Sequence, residues 1–149
     1  MHTIKTSRSQ ERVCLCDTIF YMKGYITHIE EETKSNNDYR RVVYTAKHHQ
    51  LVLMSIAVGE EIGEEVHHLD QFFRFESGEG KVVIDGVEHN IKDGDAVIVP
   101  EGALHNVTNT GSTPLKLYTI YAPPNHVDGT VQATKADEYE EHFDGKTTE

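Results

Sequence analysis

No run in this 149-residue chain approaches the ~20 consecutive apolar residues that a membrane-spanning helix needs. Basic residues are scarce: 14 Lys and Arg stand against 25 Asp and Glu, a formal net charge of −11. That balance leaves no basic stripe from which a nucleic-acid surface could release counterions, and it opposes an anionic membrane surface. Cysteine is nearly absent. Cys14 and Cys16 are separated by one residue, so a disulfide between them would be strained, and no third cysteine offers a partner. A thiolate metal site would need two more ligands nearby. The polar start Met1–Ser9 lacks the apolar segment of a secretory signal. These absences predict a reducing, cytoplasmic setting with neither nucleic-acid nor membrane partners. No internal repeat and no low-complexity tract occurs.

What is present suffices for one domain. A chain of about 150 residues buries roughly 70% of its unfolded surface, enough for a core without staples. Residues 1–21 look unlike the rest and read as an N-terminal extension, with the domain proper spanning 22–149. Glu30–Asn37 reads as a loop or short helical turn. From Tyr39 onward β signals dominate. Arg41–Thr45, Gln50–Val58, Gln71–Glu76, Lys81–Ile84, Val87–Ile91, Ala96–Val99, His105–Asn109 and Leu115–Tyr121 are short, β-branched or alternating, and punctuated by Gly, Pro and Asp. Asp85-Gly86 between two such runs is a strong hairpin signal, because both residues tolerate positive φ. Strands at about ten-residue spacing predict a β-sandwich or barrel. A polar helix over Ala133–His142 is expected to close the chain.

Two glycine-framed segments carry the chemistry. The second reads Gly94-(x5)-Pro100-x-Gly102-(x2)-His105-(x3)-Asn109. Its glycines allow backbone angles a Cβ would forbid, Pro100 stiffens a strand exit, and together they aim His105 from the start of a strand. The first reads Gly59-(x5)-Glu65-x-His67-(x3)-Gln71-(x6)-Gly78. Glu65 and His67, two apart in extended chain, share a face, and Gln71 can return to it from the next strand. Phe73 and Phe75 share the alternation of Gln71 and are expected in the interior, with substrate contact a lesser reading. His68 points opposite to His67 and is expected at the surface or an interface. His48 and His49, at the start of a strand, could reach the barrel mouth but read first as ordinary polar histidines; His89 lies beside an exposed hairpin, His126 follows Pro124-Asn125 in a loop, and His2, His28 and His142 have no cluster around them. Gly78-Glu-Gly80-Lys81 lacks the residues of a phosphate loop and reads as a tight turn. Nothing marks a nucleophile elbow.

The paired segments resemble the two motifs of the cupin superfamily, over roughly Leu51–Tyr121. The second motif matches at every fixed position. The first matches in spacing and glycines, but Glu65 stands where that family has a histidine and Gln71 where it has a glutamate. The wording from Leu51 to Asp137 is similar to small bacterial cupins often labelled mannose-6-phosphate isomerase-like. The resemblance implies an all-β cupin jelly roll, a double-stranded β-sandwich or barrel. It implies a metal site built from Glu65, His67, Gln71 and His105. Two imidazoles, an amide and a carboxylate suit one divalent transition metal: Mn, Fe, Co, Ni or Zn. A metal-dependent enzyme on a small oxygen-rich substrate follows, isomerase-like on a sugar or sugar phosphate. The alternatives are a metal-dependent dioxygenase of a small acid and a metal-free cupin that only binds a sugar or small acid. The resemblance also implies a homodimer, with Tyr39–Thr45 and the N-terminal extension as candidates for covering an edge strand.

Overall fold

The structure is a computed structural model that describes residues 21–139 and 141–149. Of the expected N-terminal extension, all but Tyr21 lies outside the described residues, Cys14 and Cys16 included. The element order is α1 (Ile29–Ser35), β1 (Arg40–Thr45), β2 (Gln50–Ile56), β3 (Asp70–Ser77), β4 (Glu79–Ile84), β5 (Val87–Lys92), β6 (Ala96–Val99), β7 (His105–Asn109), β8 (Leu115–Ala122), β9 (Val131–Gln132) and a 3-10 turn at Lys135–Asp137. The strands form two antiparallel sheets, β6-β3-β8-β2-β1-β9 and β5-β4-β7. This is the expected all-β jelly roll. No described helix is long and apolar enough to cross a membrane.

Period-2 alternation decides which side chains meet between the sheets. Met54, Phe73, Phe75 and Leu117 from the large sheet join Val82 and Val107 from the small one in a single buried cluster. Each such side chain contributes about 1.5–3 kcal/mol when withdrawn from water. The Asp85-Gly86 turn forms as expected, with φ of 46° and 81°, and joins β4 to β5. Gly78 makes the tight β3–β4 turn; a Cβ there would lie 2.8 Å from the Pro114 carbonyl oxygen.

The large sheet's outer edge at β1 is covered by β9, through Arg40 opposite Gln132 and Arg41 opposite Val131. Two residues of β9 were too short a run to show any alternation. At the other sheet, the segment Glu60–Glu65 runs along the free edge of β7. Ile62 N–H donates to the Val107 carbonyl at 2.9 Å, and Glu65 and His105 exchange both backbone hydrogen bonds, at 2.9 and 3.0 Å.

The expected helix over Ala133–His142 does not form. Thr134 and Asp137 complete a capping box, yet the turn ends after three residues. Tyr39 N–H pairs with the Ala133 carbonyl, and Lys135 and Glu138 are drawn into contacts with Ile62 and Arg40. Such tertiary contacts outweigh the weak propensity of a short helix. The helix that does form is α1, within the segment read as a loop or short helical turn.

Candidate metal centre

The backbone pairing of Glu65 with His105 is what builds the site. Residues directly opposite in an antiparallel ladder place their side chains on the same face. Both side chains therefore point between the sheets, and His67 follows two residues on. One ligand atom from each of Glu65, His67 and His105 lies within 4.8 Å of the others. Glu65 Oε2 is 3.1 Å from His67 Nε2 and 4.0 Å from His105 Nε2. Gly102 holds this corner from the second motif: at φ +85° its N–H donates to the His67 carbonyl at 2.9 Å. The left-handed angle is one that a side chain would strain.

Gln71 reaches the same point from β3. Its Oε1 lies 3.1 Å from His105 Nε2, and its Nε2 donates to Thr119 Oγ1 at 3.1 Å. His105 is buried, and its Nδ1 lies 3.0 Å from the Ala103 carbonyl oxygen. That oxygen can only accept, so Nδ1 carries a proton, and in the neutral ring Nε2 is the nitrogen whose lone pair can bind a cation. The Nε2 and Oε1 lone pairs then face each other at a distance that is repulsive unless a cation or proton lies between them. A divalent ion would take both, together with Glu65 and His67, and the donor set therefore fits one. The carbonyl bond that orients His105 is the usual outer support of a metal-binding imidazole. All four residues singled out in the sequence thus converge.

Phe73 and Phe75 do not line the cleft. Both are fully buried, stacked on each other at 6.3 Å, with Phe73 edge-on to His105 at 6.3 Å. They form the dry floor beneath the cluster. His68, His48, His49 and His89 are exposed. Asn109 at the end of the second motif is structural, donating to the Ile56 and Thr113 carbonyls at 2.9 Å.

Above the cluster opens a cleft of about 570 Å³, walled in part by Arg40, Glu65, His67, His126 and Glu138. That volume suits a small molecule. Arg40, His126 and Glu138 had no distinguishing signal as site residues. The inward parity that Arg40 shares with Val42 on β1 was the one available clue to its burial. His126 is carried in by a loop whose backbone N–H and carbonyl are both bonded by the buried Gln50 amide, at 2.9 and 2.8 Å. Its ring stands edge-on to Tyr121 at 5.0 Å, and Tyr121 in turn meets His67 at 5.8 Å. Burial, then the nearby Arg40 charge, pushes the His126 pKa from 6.5 down to about 3, so the ring is neutral at physiological pH. Burial, reinforced by the Glu65 charge, raises the Tyr121 phenol, which keeps its proton.

A family model described as a cupin domain matches residues 52–121. The chain belongs to the cupin family. This cupin is 49% identical over 122 residues to YrkC of Bacillus subtilis (strain 168), covering 77% of this chain and 66% of that protein. The chain thus spans just under two thirds of that relative's length. The cupin superposes on the crystal structure of BH2720 from Bacillus halodurans with a TM-score of 0.75 and 49% identity, covering 76% of this chain and 91% of the other. It is also similar to a predicted oxalate decarboxylase (tm1287) from Thermotoga maritima, 26% identical with a TM-score of 0.50, over 52% of this chain and 68% of that one.

Proposed function

We propose that this cupin is a metal-dependent enzyme acting on a small, oxygen-rich substrate. The observation that carries the proposal is the convergence of Glu65, His67 and His105 at one point beneath a polar cleft, with the Gln71 oxygen directed at the same histidine nitrogen. Glu65, His67, Gln71 and His105 would hold one Mn, Fe, Co, Ni or Zn ion. When bound, such an ion supplies Lewis-acid polarisation of substrate oxygens. The chain's own residues do the rest. Ala103 fixes the His105 ring, Phe73 and Phe75 exclude water from below, and Tyr121 offers a protonated phenol beside His67. An isomerase-like transfer of a proton between neighbouring carbons of a sugar or sugar phosphate fits such a site.

A second reading is a metal-dependent dioxygenase of a small acid; the similarity to the predicted oxalate decarboxylase supports its substrate class, a small acid, and not the oxidation itself. The assay that separates them loads the full chain with each ion and follows aldose–ketose interconversion beside O₂ uptake with small acids. Turnover in either arm that disappears with EDTA is expected. No turnover in any loaded form, with tight binding by the metal-free chain, would instead identify a binding protein.

The homodimer is proposed on a different surface. Leu51, Ile120, Phe72 and Ile98 stand opposite one another across β2, β8, β3 and β6, on the face of the large sheet away from the core. Ile98 is 68% exposed. An apolar row of this kind suits an association surface. Sedimentation of the full chain at micromolar concentration should give twice 16.9 kDa, and Ile98→Asp should return it to the monomer. A monomer before substitution would refute this.

A further inference from the structure

Arg40 opens β1, its side chain is 3% exposed, and it lines the cleft that holds Glu65 and His67. Its Nη1 donates to the Gln132 amide oxygen at 2.7 Å and its Nη2 to Glu138 Oε1 at 2.9 Å. Its Nε is buried without an acceptor, and its plane lies over the Tyr39 ring at 5.2 Å. A guanidinium has five N–H donors. Among the described residues, acceptors account for two. The one carboxylate it meets is shared, because Glu138 Oε2 also binds Lys135 Nζ at 2.9 Å, and the Tyr39 hydroxyl lies 3.3 Å from Oε1. A cation taken out of water and left under-partnered is costly, and a binding site recovers that cost when an anion arrives.

We infer that Arg40 is the specificity-determining residue of the cleft and that it favours the small-acid reading over the sugar one: its ligand is a small carboxylate with a neighbouring oxygen, a 2-oxo or 2-hydroxy acid. The carboxylate docks on the guanidinium, and the neighbouring oxygen faces the Glu65–His67–His105 cluster. The planar fork matches a carboxylate in shape. The carboxylates of Glu64 and Glu141, which also line the cleft, oppose a phosphate dianion more strongly than a single negative charge. The position of the neighbouring oxygen rests on the metal-centre reading; recognition of the carboxylate does not.

Calorimetry on the zinc-loaded full chain compares pyruvate and lactate with their uncharged counterparts hydroxyacetone and 1,2-propanediol, and with inorganic phosphate. The acids are expected to bind at least tenfold tighter than the neutral molecules and than phosphate. In Arg40→Gln that preference should fall at least tenfold while zinc content, read by elemental analysis, stays unchanged. A folded Arg40→Gln chain that keeps the preference overturns the inference, as does equal binding of acids and neutral molecules by the unsubstituted chain. Because Arg40 is buried, a second measurement needs no variant. The side-chain Nε–H signals of the five arginines are followed by NMR in the metal-free chain. One of them should move on adding pyruvate and not on adding hydroxyacetone; an unchanged set overturns the inference. Failure to retain zinc refutes the metal-centre reading alone, since the metal-free NMR titration still decides the role of Arg40.

Discussion

Acid should weaken this fold through one loop histidine. His126 is neutral in the folded chain, its pKa held at about 3 against 6.5 in the open, by burial and then by Arg40. The unfolded chain takes up a proton below pH 6.5, whereas the folded chain does not until near pH 3. Stability from this residue is therefore full above about pH 6.5 and declines as pH falls. The loss reaches about 2 kcal/mol by pH 5, with a ceiling of about 5 kcal/mol near pH 3. His126 retains some solvent access, so screening keeps the real loss under that ceiling. Many carboxylates titrate in the same range, and the clean readout is a difference. Urea unfolding of the metal-free chain at pH 7.5 and pH 5.0 is compared with that of His126→Phe, which keeps an aromatic ring against Tyr121 and leaves the backbone bonds to Gln50 in place. The unsubstituted chain should lose about 2 kcal/mol more than the variant between the two pH values. Equal losses would refute the assignment of a buried, neutral His126.

Other consequences are open to simpler tests. Phe73→Ala should cost about 3–5 kcal/mol in urea unfolding, because it empties a fully buried site beneath His105; a cost under 1 kcal/mol would contradict the dry floor. Gln71→Glu replaces a weak neutral donor by a carboxylate and should tighten zinc binding at least tenfold by competition with a chelator. In EDTA the same variant should be less stable, since a buried carboxylate then lacks its cation. Gly102→Ala meets no steric obstacle but strains φ +85°; about 1 kcal/mol of stability and a weaker hold on the metal through His67 are expected. Unchanged metal affinity would show that this glycine does not position the site.

Much of this was written locally in the chain. Strand β7 has the bounds His105–Asn109 that its motif suggested, and the Asp85-Gly86 turn set the register of β4 against β5. Glu65, His67 and Gln71 were legible because period-2 geometry forces alternate residues onto one face. The other wall of the cleft was not legible. Arg40 and Glu138 are 98 residues apart, and neither carries a local mark of the other. His126 depends on the Gln50 amide, 76 residues away. The expected closing helix failed for the same reason: Lys135 and Glu138, which would suit its exposed face, are claimed by Ile62 and Arg40. Local pattern specifies strands and the residues riding on them. Pairings made through long-range closure leave no period to read.

On the reading proposed above, Glu65, His67, Gln71 and His105 together hold a divalent metal. Elemental analysis of the purified, untagged chain beside His105→Ala and Gln71→Ala tests it most directly. About one equivalent of Mn, Fe, Co, Ni or Zn is expected, lost in His105→Ala and reduced in Gln71→Ala. No bound metal, even after reconstitution with each ion in turn, would contradict it.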